Sequence, residues 1–449
     1  MRRKKFLMRV FAVVALPLIL AVVCAGAFVV TRGASVSPIL ATRAVGPDPG
    51  AIAVDARAGH VFVANGDDTL SMLDARDGRV LHTVTLNSAL ATLTVDERRG
   101  RLFVVSEALG NDPNGAVTML DTHTGAILRA TDVGQGAGAI ALNQGAGRAY
   151  VANSRDDTMS TLDLASGRVV RTTFVGFDHA TGYYPMAIAV DARAGHVFTA
   201  NGSDNSVSMF DAAGGRLLRV IHFGKPLLSE NWSFGAYPLA VSEAYGRLFV
   251  ASMTQAGGDV RVIDTRSGAV ARTISVRWSP DDVLLDARTD KVFVRGGPGL
   301  LLDARTGVVA RAFTLGVGVW DPGHKVVVDA RTGRVYVLSE ASLDSRGAAV
   351  GTGRVLTLDG ATGQVLRTVP VGLLPKDLAL DSLTDRVFVS NANDAEFNRY
   401  GYRARAGDGS NTWSWVPQPI RGWLPQASQP RPAPTGPLSG TVSVIDTTR

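Results

Sequence analysis

One passage of text returns eight times along this chain. Its first copy reads Ala51-Ile52-Ala53-Val54-Asp55-Ala56-Arg57-Ala58-Gly59-His60-Val61-Phe62-Val63-Ala64-Asn65, then Thr69-Leu70-Ser71-Met72-Leu73-Asp74. The closing Asp recurs at Asp74, Asp121, Asp163, Asp211, Asp264, Asp303, Asp359 and Asp446. Each copy holds four short β-prone runs: a (Ile52 to Val54), b (Val61 to Ala64), c (Leu70 to Leu73) and d (Val80 to Leu86). A unit of roughly 40 to 50 residues with four strands cannot bury both faces of its sheet alone, so it must stack on copies of itself, and a closed ring leaves no end uncovered. With 449 residues, 49 of them Gly, and no long stretch of helical period, the chain is expected to be all-β: an eight-bladed β-propeller of four-stranded antiparallel blades.

Two details refine this. The a-to-b and c-to-d connections share one formula, as in Asp55 to Gly59, Asp191 to Gly195, Asp264 to Gly268 and Asp359 to Gly363. An Asp carboxylate caps turn amides and a terminal Gly accepts positive φ, so a carboxylate repeated at one turn in most copies reads as structural rather than catalytic or calcium-binding. The eighth copy supplies a, b and c between Asp377 and Asp446 but no d, whereas Ile39 to Gly46 matches the d-run Val169 to Gly176. An N-terminal strand is therefore expected to complete the last blade and close the ring.

Ahead of that strand, Met1 to Arg9 is basic and Val10 to Val30 runs 21 residues without a charge. This is an export signal, expected as a hydrophobic helix, either cleaved after Ala25-Gly26-Ala27 or retained as a membrane anchor. Residues 1–35 are thus read as signal or anchor with a short linker, and 36–449 as the propeller, exported and either anchored facing outside or released as a secreted or periplasmic protein. The lone Cys24 lies inside the apolar segment, so the exported part can form no disulfide. Five of the 46 basic residues lie in the first nine positions; the remaining 41 face 40 acids, and that balance argues against a nucleic-acid partner.

The strand cores Phe62-Val63-Ala64-Asn65, Tyr150-Val151-Ala152-Asn153, Phe198-Thr199-Ala200-Asn201 and Phe388-Val389-Ser390-Asn391 resemble the YVTN-repeat family of β-propellers. The resemblance spans residues 39–449. It implies an extracytoplasmic, surface-layer-like or binding protein; more distant relatives include lactonases and the propeller subunits of redox enzymes. Such propellers more often have seven blades, which is the alternative count, and the sixth copy departs from the pattern with Arg295-Gly296-Gly297 where Ala-Asn is expected.

Every long connection is of the b-to-c or d-to-next-a kind: Glu107 to Asn114, Phe177 to Tyr183, Lys225 to Ala236, Met253 to Gly257, Glu340 to Thr352 and Ala395 to Ser439. Strand alternation puts all of these on one face, where binding is expected. Candidate ligand-binding residues there are Asp178, His179, Tyr183, Trp232, Tyr237, Trp278, Trp413, Trp415 and Trp423, the last three in an insertion at 395–438 whose seven prolines disfavour regular strands. Packing of the loops against the rim is the competing role for these aromatics. His60, His82, His123, His196 and His222 read as structural, and no metal-ligand spacing is present. Asp178 with His179, or Asp281 with Asp282, are the acid/base pairs available to an enzyme. The preferred reading is a monomeric, non-catalytic scaffold without metal or cofactor that holds a protein, peptide or glycan at the cell envelope. The alternative is a propeller enzyme of lactonase or quinoprotein-associated type.

Overall fold

The Asp…Gly turns set the architecture by folding each run back on the one before. At the first of them, Asp55 Oδ1 accepts the Ala58 amide at 2.9 Å, and Gly59, at φ 71°, returns its own amide to the Asp55 carbonyl at 2.9 Å. The c-to-d turns work likewise. The amide and hydroxyl of Ser166 hold the Asp163 carboxyl below its ordinary range, and the Thr306 hydroxyl and amide do the same for Asp303. The carboxylates are thus occupied in turns, as expected from their repetition.

The computed structural model describes residues 37–86, 88–107, 114–177, 182–223, 238–254, 257–296, 298–314, 326–339, 342–343, 349–350, 352–392 and 440–448. They form eight four-stranded antiparallel sheets. Blade 1 is Ile52–Asp55, His60–Ala64, Thr69–Asp74 and Val80–Thr85. Blades 2 to 7 follow at 90–132, 137–174, 185–222, 239–276, 282–314 and 326–370. Blade 8 takes a, b and c from Pro375–Asp381, Arg386–Asn391 and Thr441–Asp446, and its outer strand is Ile39–Ala44. Eight blades are present, not seven. The N-terminal hydrophobic segment and the insertion at 395–438 lie outside the described residues, among which no helix is long and apolar enough to cross a membrane.

The core lies between blades, and the two-residue period of strand b builds it. Val61 and Val63 point back onto Phe388, Val442 and Val444 of blade 8, whereas Phe62 between them points forward onto Leu102, Val104 and Leu120 of blade 2. The same forward-pointing ring recurs as Phe103, Tyr150, Phe198, Phe249, Phe293, Tyr336 and Phe388, each buried against the next blade. Burying one such ring contributes about 1.5–3 kcal/mol, and truncating it to Ala costs about 3–5 kcal/mol because of the cavity left. The innermost strands touch in sequence all the way round, including Ile52–Asp55 against Pro375–Asp381, so they enclose a central channel.

The face carrying the short turns is also tied from blade to blade. Glu97 accepts the Ala56 amide at 3.2 Å and Glu243 the Ala192 amide at 2.9 Å. His60 and His196 sit at the start of strand b, and each places Nδ1 2.7 Å from a carbonyl of the next blade, Thr122 and Thr265. Tyr150 bonds the Ala212 carbonyl, Tyr245 the Asp290 carboxylate at 2.6 Å, Arg288 the Thr332 carbonyl at 3.1 Å and Arg386 the Ala75 carbonyl at 3.4 Å. These histidines are structural.

One sequence expectation needs correction. Met253 to Gly257 is not a loop insertion: strands b and c of blade 5 lengthen to Arg247–Thr254 and Gly257–Asp264 and stay paired up to Thr254 opposite Gly257.

Closure rests on the N-terminal strand. Thr42 lies opposite Ser443 and Ala44 opposite Thr441, with a register shift between Ile39 and Ala41. The Val45 amide reaches the Gly440 carbonyl at 3.0 Å and the Asp446 amide reaches Pro38 at 2.8 Å. Ile39 packs into the cluster between blades 7 and 8, and Ala41 into the one between blades 8 and 1. Deleting residues up to Gly46 should therefore lower the melting temperature by roughly 5 °C or more, since it strips an outer strand and uncovers two interfaces at once. A thermal melt followed by far-ultraviolet circular dichroism checks this, and an unchanged midpoint contradicts it.

Candidate functional site

Strand direction divides the molecule into two unlike faces. The a-to-b and c-to-d turns leave one end of the strands, and the b-to-c and d-to-a connections leave the other, so every long connection belongs to the second end. One of them, between strands b and c of blade 7, carries a small hairpin pairing Ser342–Leu343 with Ala349–Val350.

The rigid floor under these connections is built by the residue that ends strand b. Asn153 donates to the Thr158 and Ser160 hydroxyls of strand c, both at 2.9 Å, and Asn65 and Asn201 hold Thr69 and Ser71, and Ser206 and Ser208, in the same way. Room for the Asn comes from the incoming d-to-a connection: a Cβ at Gly46 would lie 2.5 Å from the Asn65 side chain, and one at Gly134 2.7 Å from that of Asn153. Blade 6 exchanges the two sizes. Gly296 stands in the Asn position and the bulky residue is Trp278 in the connection, whose ring a Cβ at Gly296 would meet at 1.9 Å. The departure at Arg295-Gly296 is thus the counterpart of Trp278.

Tyr183 is 3% exposed, and its ring lies edge-on to Phe174 at 5.7 Å in the core between blades 3 and 4. The Asp157 carboxylate accepts the amides of Tyr183 and Tyr184 at 2.9 and 2.6 Å, which pins this connection and leaves the Tyr184 ring as the exposed one. Trp278 is half-buried against the cluster between blades 5 and 6. Asp178, His179, Trp232, Tyr237, Trp413, Trp415 and Trp423 lie outside the described residues. Both described candidates therefore pack the floor.

Two arginines at this end are held by carboxylates, a pairing the sequence alone did not indicate. In blade 5, Arg261 bonds Ser252 and Asp259, the latter at 2.7 Å, and its guanidinium lies 4.5 Å from the Phe223 ring centre. In blade 6, Arg295 reaches Asp281 at 3.2 Å, with only 8% of the arginine side chain exposed. Arginine at a strand position filled elsewhere by an uncharged residue, Ala in four blades, is the sequence signal for the second. The Asp281 and Asp282 pair considered as acid and base is divided by the fold: Asp281 faces Arg295, and Asp282 accepts the Val283 amide at 2.8 Å. Farther out, burial raises the Asp204 carboxyl, opposed by the Ser206 hydroxyl and by His222 3.6 Å away. No group of three or more His, Cys, Asp or Glu is arranged to hold a metal among the described residues.

The family model described as outer membrane protein assembly factor BamB matches residues 33–128 and 113–368. No curated protein matches the chain. Among solved structures it is similar to the computationally designed Ika8 protein, at 16% identity and TM-score 0.55 over 78% of this chain and 95% of that one. It is also similar to BamB from Moraxella catarrhalis, at 14% identity and TM-score 0.52 over 79% of this chain and 97% of that one. At these identities the likeness to the two structures is one of fold. The matched family is not the YVTN-repeat family that the strand-b cores resemble; the propeller is common ground.

Asp281 makes the floor of blade 6 sensitive to pH. Burial pushes its carboxyl from an ordinary 3.8 up to about 6, against the pull of Arg295 and with a push from Asp282. Because the folded-state value is the higher, its contribution to stability is fully present below 3.8 and is lost as pH rises through about 6. Asp281→Asn should remove that loss, gaining about 2–3 kcal/mol on the wild type between about pH 4 and pH 7 in urea unfolding. Parallel pH profiles for the two proteins contradict the assignment.

Proposed function

The chain belongs to the family of the outer membrane protein assembly factor BamB, and from that membership we propose that it is an extracytoplasmic, non-catalytic scaffold holding a protein partner on its insertion-bearing face. The observation that carries this is the division of the ring. One face is closed by uniform turns cross-tied between blades; the other receives every long connection above a floor braced by Asn65, Asn153 and Asn201. A rigid scaffold with variable loops on one side is an arrangement suited to recognition.

Protein is favoured over glycan because the family's description is that of an assembly factor. The YVTN-like text of strand b fits the same reading, since that resemblance implies surface-layer-like or binding proteins outside the cytoplasm. Export follows from the basic start and the apolar run Val10 to Val30, which either anchors the propeller or is removed. Trp232, Tyr237, Trp413, Trp415 and Trp423, in connections that belong to this face, are the proposed aromatic anchors, and Asp178 and His179 the proposed polar contacts, because large rings give much contact area for little lost freedom. The lactonase or quinoprotein-type alternative has no specific observation behind it among the described residues.

Replacing residues 395–438 by a short Gly-Ser turn tests the proposal. Strands Arg386–Asn391 and Thr441–Asp446 pair across all six of their positions, so the blade should keep its melting temperature while capture of envelope protein by the tagged full-length chain is lost. Undiminished capture overturns the placement of the site.

A further inference from the structure

A collar of aliphatic side chains runs round the channel at the centre of the ring. Each of the eight innermost strands carries a partly exposed aliphatic residue at its next-to-last position, from Val54 and Val95 in blades 1 and 2 to Val328 and Leu380 in blades 7 and 8. Two cavities open along this collar, one of 410 Å³ and one of 880 Å³, and Val54 lines both. The larger has the size of a small-molecule site, for which roughly 300–1,000 Å³ is usual. Neither cavity is lined by an aromatic ring. The wall therefore suits a flexible alkyl chain rather than a sugar or a planar ligand, which bind by stacking.

At the short-turn end, one step beyond the collar, stands a rim of arginines. Arg57, Arg98, Arg193, Arg288 and Arg331 occupy the same position of the a-to-b turn in blades 1, 2, 4, 6 and 7, and all are exposed. Arg57 and Arg98 line the smaller cavity, and Arg331 the larger. Acids nearby are engaged in the ring itself: Glu97 and Glu243 accept amides of the preceding blades, Asp290 the Tyr245 hydroxyl, and Asp385 bonds Arg331. No ion pair of Arg57 or Arg98 occurs among the described residues, so two guanidinium groups stand beside the amide-bound Glu97 at the edge of the aliphatic collar.

We propose that the channel binds an amphiphile made of a single alkyl chain and an anionic headgroup, the chain against the aliphatic collar and the headgroup on Arg57 and Arg98. Burial of the chain supplies the affinity, and the guanidinium pair, which can grip a carboxylate or phosphate through two bonds each, sets the orientation. The site lies at the opposite end of the ring from the insertion-bearing face, so it stands or falls independently of the scaffold proposal.

The test uses the full-length chain in a detergent-free polymer, with dansylaminoundecanoate as fluorescent probe. Its emission should rise saturably and be displaced by palmitate and by lysophosphatidate, but not by hexadecanol; which of the two anions displaces better identifies a free fatty acid or a lipid as the source. Val328→Trp should fill the channel and abolish binding. Arg57→Ser with Arg98→Ser, on exposed side chains that the fold does not use, should weaken it about tenfold. The double variant keeps the test decisive if Val328→Trp does not fold. Absence of a saturable rise, an unchanged affinity in the double variant, displacement by hexadecanol equal to that by palmitate, or displacement by a peptide of residues 10–30 but not by palmitate overturns the proposal.

Discussion

Everything in this protein depends on one contact repeated round a circle: the aromatic residue of strand b pressed into the next blade while the aliphatic residues on either side of it press into the one before. Phe62 and its neighbours Val61 and Val63 show the arrangement, and the other seven blades repeat it, with Thr199 in place of one aliphatic residue in blade 4. A sheet of four short strands has no interior of its own, so its stability is held in its interfaces with neighbours. Such a stack is satisfied only when its last interface is made. Here that interface joins the two ends of the chain, and the strand that completes it, Ile39–Ala44, comes from the far terminus.

The packing also explains why the two ends of the ring differ. Short Asp…Gly turns bring successive blades close at one end, and there Glu97, Glu243, Tyr245 and Arg288 bond across the gaps. At the other end blades 1, 3 and 4 are braced internally, through the Asn that closes strand b, and the connections above vary in length without disturbing the sheets. Tyr183 and Trp278 show how this end is sealed: each brings a large ring in on a d-to-a connection, and in each case a glycine, Gly176 or Gly296, makes room for it.

How far the sequence could be read follows from the range of each signal. The blade count, the turns and the closing strand were legible because a repeat restates its own physics eight times, and Ile39 to Gly46 could be compared directly with other d-runs. The roles of single residues were less so. Tyr183 reads as an exposed loop aromatic, yet its ring fills a gap between blades that only the assembled ring creates. Asp281 and Asp282 are adjacent in sequence, and alternation along the chain sends one to Arg295 and the other to a backbone amide. The arginine rim was hidden for the opposite reason: Arg57 and Arg98 are ordinary turn residues in the text, 41 positions apart, and the ring alone brings them to one cavity. Met253 to Gly257 misled because two long strands that stay paired to their ends and two short ones joined by a loop have similar sequences.

Native-state hydrogen exchange addresses the central claim most directly, because it reads the stability of the closing strand against that of the ring. If the circle is one cooperative structure sealed between Ile39–Ala44 and Thr441–Asp446, the amides of the N-terminal strand that face its partner exchange with the same free energy and denaturant dependence as those of Arg386–Asn391 in the heart of blade 8. Exchange of residues 39–44 at a much lower free energy than the rest of the blade contradicts the account, since the ring would then hold together without its seal.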